Sequence, residues 1–154
     1  MLTSLSLLPV AELSPAVQIV ASAIVKAGSD IQVQLACGLR DWSMMCPELR
    51  GSVLESAPQL LQMVVSAGSA AASGHVEERL QRLVAAEAVA RALASAVGHD
   101  ARDPTIAKHV PTVCSAMSTI LARAPPSTQR NLVIKALFEF VAVRVSTEVS
   151  IDLP

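Results

Sequence analysis

"ARALASAV", residues 90–97, closes the chain's clearest helical segment and has two counterparts, "ACGLRDWS" (36–43) and "IKALFEFV" (134–141). Each block carries a small residue followed by leucine at the same place: Gly38-Leu39, Ala92-Leu93 and Ala136-Leu137. Each is preceded by an apolar helical stretch, "VQIVASAIVKAG" (17–28), "PQLLQMVVSAG" (58–68) and "VPTVCSAMSTILARA" (110–124). The leucines are separated by 54 and then 44 residues, and the Gly/Ser/Ala-rich stretch "SAAASGHVEE" (69–78) accounts for the longer interval. Self-similarity at this period is what stacked helical units leave in a sequence.

The surrounding segments carry helix signals with clear punctuation. Ser14 and Pro15 are placed to open a helix that stops at Gly28; the next starts on Ser29 or Asp30 and ends before Pro47. The segment 48–67 holds Pro58 and is expected to divide there. Segment 75–98 has Glu77 and Glu78 at its N-terminal end and Gly98 at its C-terminal end, the charge and cap preferences of a helix. Segment 103–124 is expected to break at Pro111, and 125–145 forms the last helix. "RVSTEVSIDL" is β-prone but reads equally as a fraying tail. The expected division is a leader over 1–13, one all-α domain over 14–145 and a tail over 146–154.

Composition agrees with packed helices. The chain has 154 residues, 52% apolar and 16% charged, and only Trp42, Phe138 and Phe140 are aromatic. A core of Leu, Val, Ile, Ala and Met suits closely approaching helices better than a sheet rich in β-branched and aromatic residues. A net charge of −1 with no Lys/Arg cluster argues against nucleic acid, and so few aromatics provide no stacking platform. No uncharged apolar stretch reaches the roughly 18 residues that span a bilayer. "MLTSLSLLPVAELSP" (1–15) lacks the cationic start and unbroken apolar run of a secretory signal. Cys37, Cys46 and Cys114 are odd in number and without CxxC spacing, as for reduced thiols in the cytoplasm or nucleus.

In these blocks and their prolines the chain resembles the armadillo/HEAT family of helical repeats, in about three units over residues 14–145. The resemblance implies short helix, proline, second helix, turn and third helix, with the third helices lining a groove. A closed multi-helix bundle is the alternative, since small-residue contacts also occur there. Armadillo proteins of the nuclear-import receptor type carry a tryptophan and, four residues on, an asparagine on the third helix. Here those positions hold Cys37 and Asp41, Arg91 and Ser95, Lys135 and Glu139. The resemblance therefore extends to fold and not to recognition of basic import signals.

Leu35, Leu39 and Trp42 share a stripe at i, i+4, i+7, which makes Trp42 a core residue rather than an exposed binding knob. Cys37 and Cys46 stand nine apart with no histidine near, which does not suit a metal. His99, Asp100 and Asp103 in "GHDARD" read as a polar turn, and His109 with Cys114 straddles Pro111. No GxSxG, HExxH or phosphate loop is present, so no catalytic, metal or cofactor residues are assigned. Glu78–Arg82 and Glu87–Arg91 are i, i+4 pairs on a solvated face.

The sequence thus points to a non-enzymatic scaffold that binds a partner helix or extended peptide, or alternatively to an obligate subunit joined to a second copy or a larger complex. Arg40, Asp41, Arg91, Ser95, Lys135 and Glu139 are the expected groove residues. Leu132, Phe138, Phe140, Val141 and Val145 are the expected contacts of a buried end face, because neither terminus is polar enough to cap a solenoid.

Overall fold

A computed structural model describes residues 10–70, 75–97 and 104–152, with side chains described for 15–67, 75–97 and 108–141. The described residues form seven α-helices and one 3-10 turn, with no strand. In order these are α1 (Val10–Lys26), α2 (Ser29–Met45), the turn Pro47–Leu49, α3 (Arg50–Glu55), α4 (Ala57–Ala70), α5 (Val76–Val97), α6 (Pro104–Arg123) and α7 (Thr128–Asp152). The leader residues 1–9, the connection 71–74 and the turn 98–103 that holds His99, Asp100 and Asp103 lie outside the described residues.

Local chemistry explains most boundaries. Gly28 precedes α2 in an extended conformation (φ −65°, ψ 163°), and Asp30 lies in the first turn, where the helix dipole favours a negative charge. α2 ends because Pro47 pushes Cys46 into an extended conformation (φ −125°, ψ 95°); the Cys46 N–H still donates to Trp42 O at 3.0 Å. α3 and α4 divide at Ser56, whose N–H is shared between the carbonyls of Ser52 (3.2 Å) and Val53 (3.1 Å). Pro58 then sits in the first turn of α4, where a missing N–H costs nothing.

Three boundaries differ from those read in the sequence. α1 starts at Val10 and carries Pro15 inside it. α6 is unbroken through Pro111. Both prolines are exposed, and Val113, Ala116 and Ile120 bury the inner face of α6 beyond Pro111. The last helix runs on to Asp152, where a tail was expected from 146. No glycine or proline stands between Ser127 and Leu153 to stop it.

α5 is the centre of the packing. It lies between α2 and α7 and is backed by α4 and α3; α1 packs on α2, α3 and α4, and α6 on α4 and α7. Among the described residues neither α2 with α7 nor α1 with α6 packs appreciably. One row is therefore α2, α5, α7 and the other α1, α4, α6. α2 and α5 run parallel. Arg82 Nη1 donates to Gln32 Oε1 at 2.9 Å and Ser43 Oγ to Ala92 O at 3.3 Å, so a step along α2 matches a similar step along α5. Parallel neighbours need a return path, which the 3-10 turn, α3 and α4 supply.

The sequence of α5 fits this position. Ala85, Ala86, Ala88, Ala90, Ala92 and Ala96 are buried around it, with Leu83, Val89, Leu93 and Val97 filling between them. Alanine lets helix axes approach to the lower end of the usual 8–10 Å. That is why a side chain as short as Ser43 reaches the main chain of α5. Leu39, Leu93 and Leu137, the repeated leucines, are all fully buried, and Trp42 is 4% exposed. Leu35 is only partly buried; the buried stripe of α2 instead follows Gln32, Ala36, Leu39 and Ser43, with Trp42 at its edge.

Candidate functional site

With α2 and α7 at its sides and α4 behind, α5 has one face left. It is a stripe at i, i+4, i+7 spacing: Val84, Glu87, Arg91, Ala94 and Ser95 are exposed or half-buried between buried neighbours, in line with exposed Leu80 in the first turns, where no residue is buried. Arg91 and Ser95, two of the expected groove residues, lie in that stripe. On α2 the outward positions include Asp41, with Arg40 half-buried beside it; on α7 they include Lys135, Phe138 and Glu139. All six expected groove residues keep solvent access on the row α2, α5, α7.

Charge on this row is largely paired in its first two helices. Arg40 Nε donates to Asp41 Oδ1 at 3.1 Å, and Arg91 Nε donates to Glu87 Oε1 at 2.8 Å. Glu87 also accepts from Gln129 Nε2 of α7 at 3.0 Å, which leaves both its oxygens engaged and its side chain 14% exposed. Arg82 contacts Glu78 at 3.7 Å, the second i, i+4 pair read in the sequence.

The expected end-face residues separate. Phe138 is 55% exposed and Leu132 half-buried, whereas Phe140 and Val141 belong to the core of this chain, Phe140 with its ring 6.3 Å from that of His109. The Val145 side chain is outside the described residues. Phe140 follows Phe138 by two on a helix, which rotates it to the opposite side.

Among the described residues no group of three His, Cys, Asp or Glu could hold a metal ion, and the cysteines are free thiols. Cys46 Sγ donates to Glu48 Oε2 at 3.1 Å. That bond, aided by burial and the carboxylate charge, raises the thiol's pKa, and the same bond holds the Glu48 carboxyl below its ordinary value. Burial lowers the pKa of His109, and the charge of Lys108 adds to the effect.

A polar junction escaped the sequence reading. Gln32 is 3% exposed; its Nε2 donates to Ile24 O at 2.8 Å while its Oε1 accepts from Arg82, and Arg82 Nη1 also reaches Ala27 O at 3.3 Å. Two of the carbonyls orphaned at the end of α1 are thereby satisfied by the next two helices of the other row. The sequence held only a partial signal, the run Gln32, Ala36, Leu39, Ser43 at i, i+4, i+7, i+11; it places Gln32 on the buried stripe but does not supply the partner Arg82.

No protein-family model, curated protein or solved structure matches the chain. Among the described residues, no helix is long and apolar enough to cross a membrane.

Proposed function

We propose that the chain is an armadillo/HEAT-like helical repeat and works as a non-enzymatic scaffold, in the cytoplasm or nucleus, holding a partner helix or extended peptide along the open face of α2, α5 and α7. The observation that carries this reading is the position of α5: flanked on both sides and backed by α4, it offers a single continuous stripe, which includes Arg91 and Ser95. The parallel course of α2 and α5 and the burial of all the repeated leucines support a repeating unit, since equivalent third helices stacked in one direction need both. On such a face, exposed charges tune encounter and register, and half-buried small residues admit the partner's side chains.

Peptides selected by display against the full chain test the reading. Ser95→Arg and Asp41→Arg should weaken the selected peptides about tenfold or more, while Lys26→Glu, on the other row, leaves them unchanged. Selected peptides indifferent to Ser95 and Asp41 would overturn it.

A second reading, an obligate subunit, is favoured by the exposed apolar side chains Ile19, Met44, Met45, Leu121 and Phe138, each more than half exposed. Sedimentation separates the two: a monomer at high concentration supports the scaffold, and a tight oligomer dissolved by Phe138→Glu supports the subunit.

A further inference from the structure

The row α1, α4, α6 lies behind the open face, and its middle is free of charge. α4 contains no Asp, Glu, Lys or Arg, and neither does α1 between Glu12 and Lys26 or α6 between Lys108 and Arg123. Whichever way α1 and α6 are rotated, those stretches put no charge beside α4. In the other row α5 alone holds six charged residues. α4 packs on α5, α1 and α6, and its exposed side chains, Pro58, Gln59, Gln62 and Ser66, form one stripe at helical spacing on the side those neighbours leave. On the two flanking helices Ile19 is 70% exposed and Leu121 52%. A soluble surface is ordinarily about 25–35% charged, so three adjacent helices without a charge along their middles stand apart from the rest of the molecule.

We infer that a second copy of the chain docks on this row, back to back, in a two-fold dimer that leaves both open faces turned outward. Charge complementarity selects the occupant. In a two-fold contact the same patch meets itself, so a charged face opposes its twin and a neutral one does not. A nucleic acid or an anionic membrane would find no cations along α4 to meet its phosphates. The size also fits. The 14 residues of α4 rise about 21 Å, and three helices about 8–10 Å apart span about 25–30 Å. A footprint of about 500–600 Å² per copy buries about 1,000–1,200 Å² in all, the low end for a specific contact, which makes the dimer reversible. The inference goes beyond the scaffold reading, and it differs from the obligate subunit because the contact leaves out Phe138. It rests on the scaffold reading for its consequence, that a dimer offers two grooves to a partner carrying two copies of the bound segment.

Sedimentation equilibrium of the full chain tests it. The unsubstituted protein should pass from monomer to dimer over micromolar concentrations, with little change between low and high salt because no ion pair forms across the contact. Gln62 sits mid-stripe on the middle helix, so a charge there lies close to its twin. Gln62→Glu and Gln62→Lys should each weaken the dimer about tenfold or more, and mixing the two variants should restore it. Phe138→Glu and Asp41→Arg, on the other row, should leave it unchanged. Circular dichroism confirms that each variant is folded. A chain that stays monomeric at high micromolar concentration, a dimer indifferent to Gln62, Gln62 variants that do not recover on mixing, or a dimer dissolved by Phe138→Glu overturns the inference. So does a monomer that binds phosphatidylcholine vesicles and releases them on Ile19→Glu, which would assign the row to a lipid surface. If display-selected peptides respond to Ser95 and Asp41 while the chain stays monomeric, the scaffold reading stands and the dimer falls; a dimer whose selected peptides ignore both residues removes the scaffold reading alone.

Discussion

Replacing Trp42 by alanine and by phenylalanine should give very different costs, and the difference probes the packing of α2. The indole is 4% exposed. A buried aromatic removes about 150–250 Å² from water, which at about 25 cal/mol per Å² amounts to roughly 4–6 kcal/mol. That is an upper bound, because an unfolded chain already buries part of the ring. Truncations of buried Trp and Phe to Ala cost about 3–5 kcal/mol, so Trp42→Ala is expected near 4 kcal/mol, a large part of the whole stability of an ordinary domain. Trp42→Phe is another matter. The indole N–H is buried without an acceptor, an arrangement that costs about 1–3 kcal/mol and that phenylalanine relieves. This gain offsets the smaller ring, and the net change should stay within about 1 kcal/mol. Urea unfolding followed by far-ultraviolet circular dichroism measures both, since each variant lacks the only tryptophan. In the unsubstituted protein the emission should be blue-shifted. If Trp42→Phe costs as much as Trp42→Ala, the indole N–H is bonded and the argument fails; a Trp42→Ala variant of near-native stability would remove the ring from the core.

At the polar junction, Gln32→Ala and Arg82→Ala should each cost about 1–3 kcal/mol, and the double variant less than their sum, because either loss already leaves the other's partner unmet; strict additivity would show the two bonds to be independent. Because His109 binds its proton less readily folded than unfolded, the unfolded state gains protons first as pH falls through about 6.5, so stability declines there and levels off below the lowered folded value. His109→Gln should flatten that part of a stability–pH curve, and an unchanged slope would assign it to other groups. Exposed Cys114 should alkylate faster at neutral pH than Cys46, and Glu48→Ala should speed Cys46 by freeing its thiol to ionise; Cys46 reacting first would contradict the bond to Glu48.

How far the fold could be read depended on whether a signal was local. Pro47 and Gly28 act on their own neighbours, and the boundaries they predict are found. Pro15 and Pro111 have the same local preference, but exposed placement lets the helix continue past them. Leu39 and Trp42 were legible as buried from spacing alone. Gln32 was not, because a glutamine becomes a core residue only when another helix supplies Arg82, fifty positions away. The same holds for Phe138 and Phe140. Both are apolar, and which one enters the core depends on the angle at which α7 meets α5 and α6, which no periodicity within α7 states. For the groove residues, the sequence register placed Arg91 and Ser95 on a stripe that α5 leaves open. Pairing of Glu87 with Gln129 joins distant segments, and no local pattern announced it.

The alanine-lined α5 has a consequence for how the molecule comes apart. In long solenoids each unit leans only on its neighbours, and ends can melt while the middle holds. Here α5 touches α2, α3, α4 and α7 alike, so loss of α5 strips support from the helices on both sides of it. Unfolding should then be one cooperative event, and a fragment ending before Val76 should not hold a structure. A partner gripping any stretch of the open face would raise the melting temperature of the entire chain rather than of one unit, because binding energy spent locally is shared through a single hub.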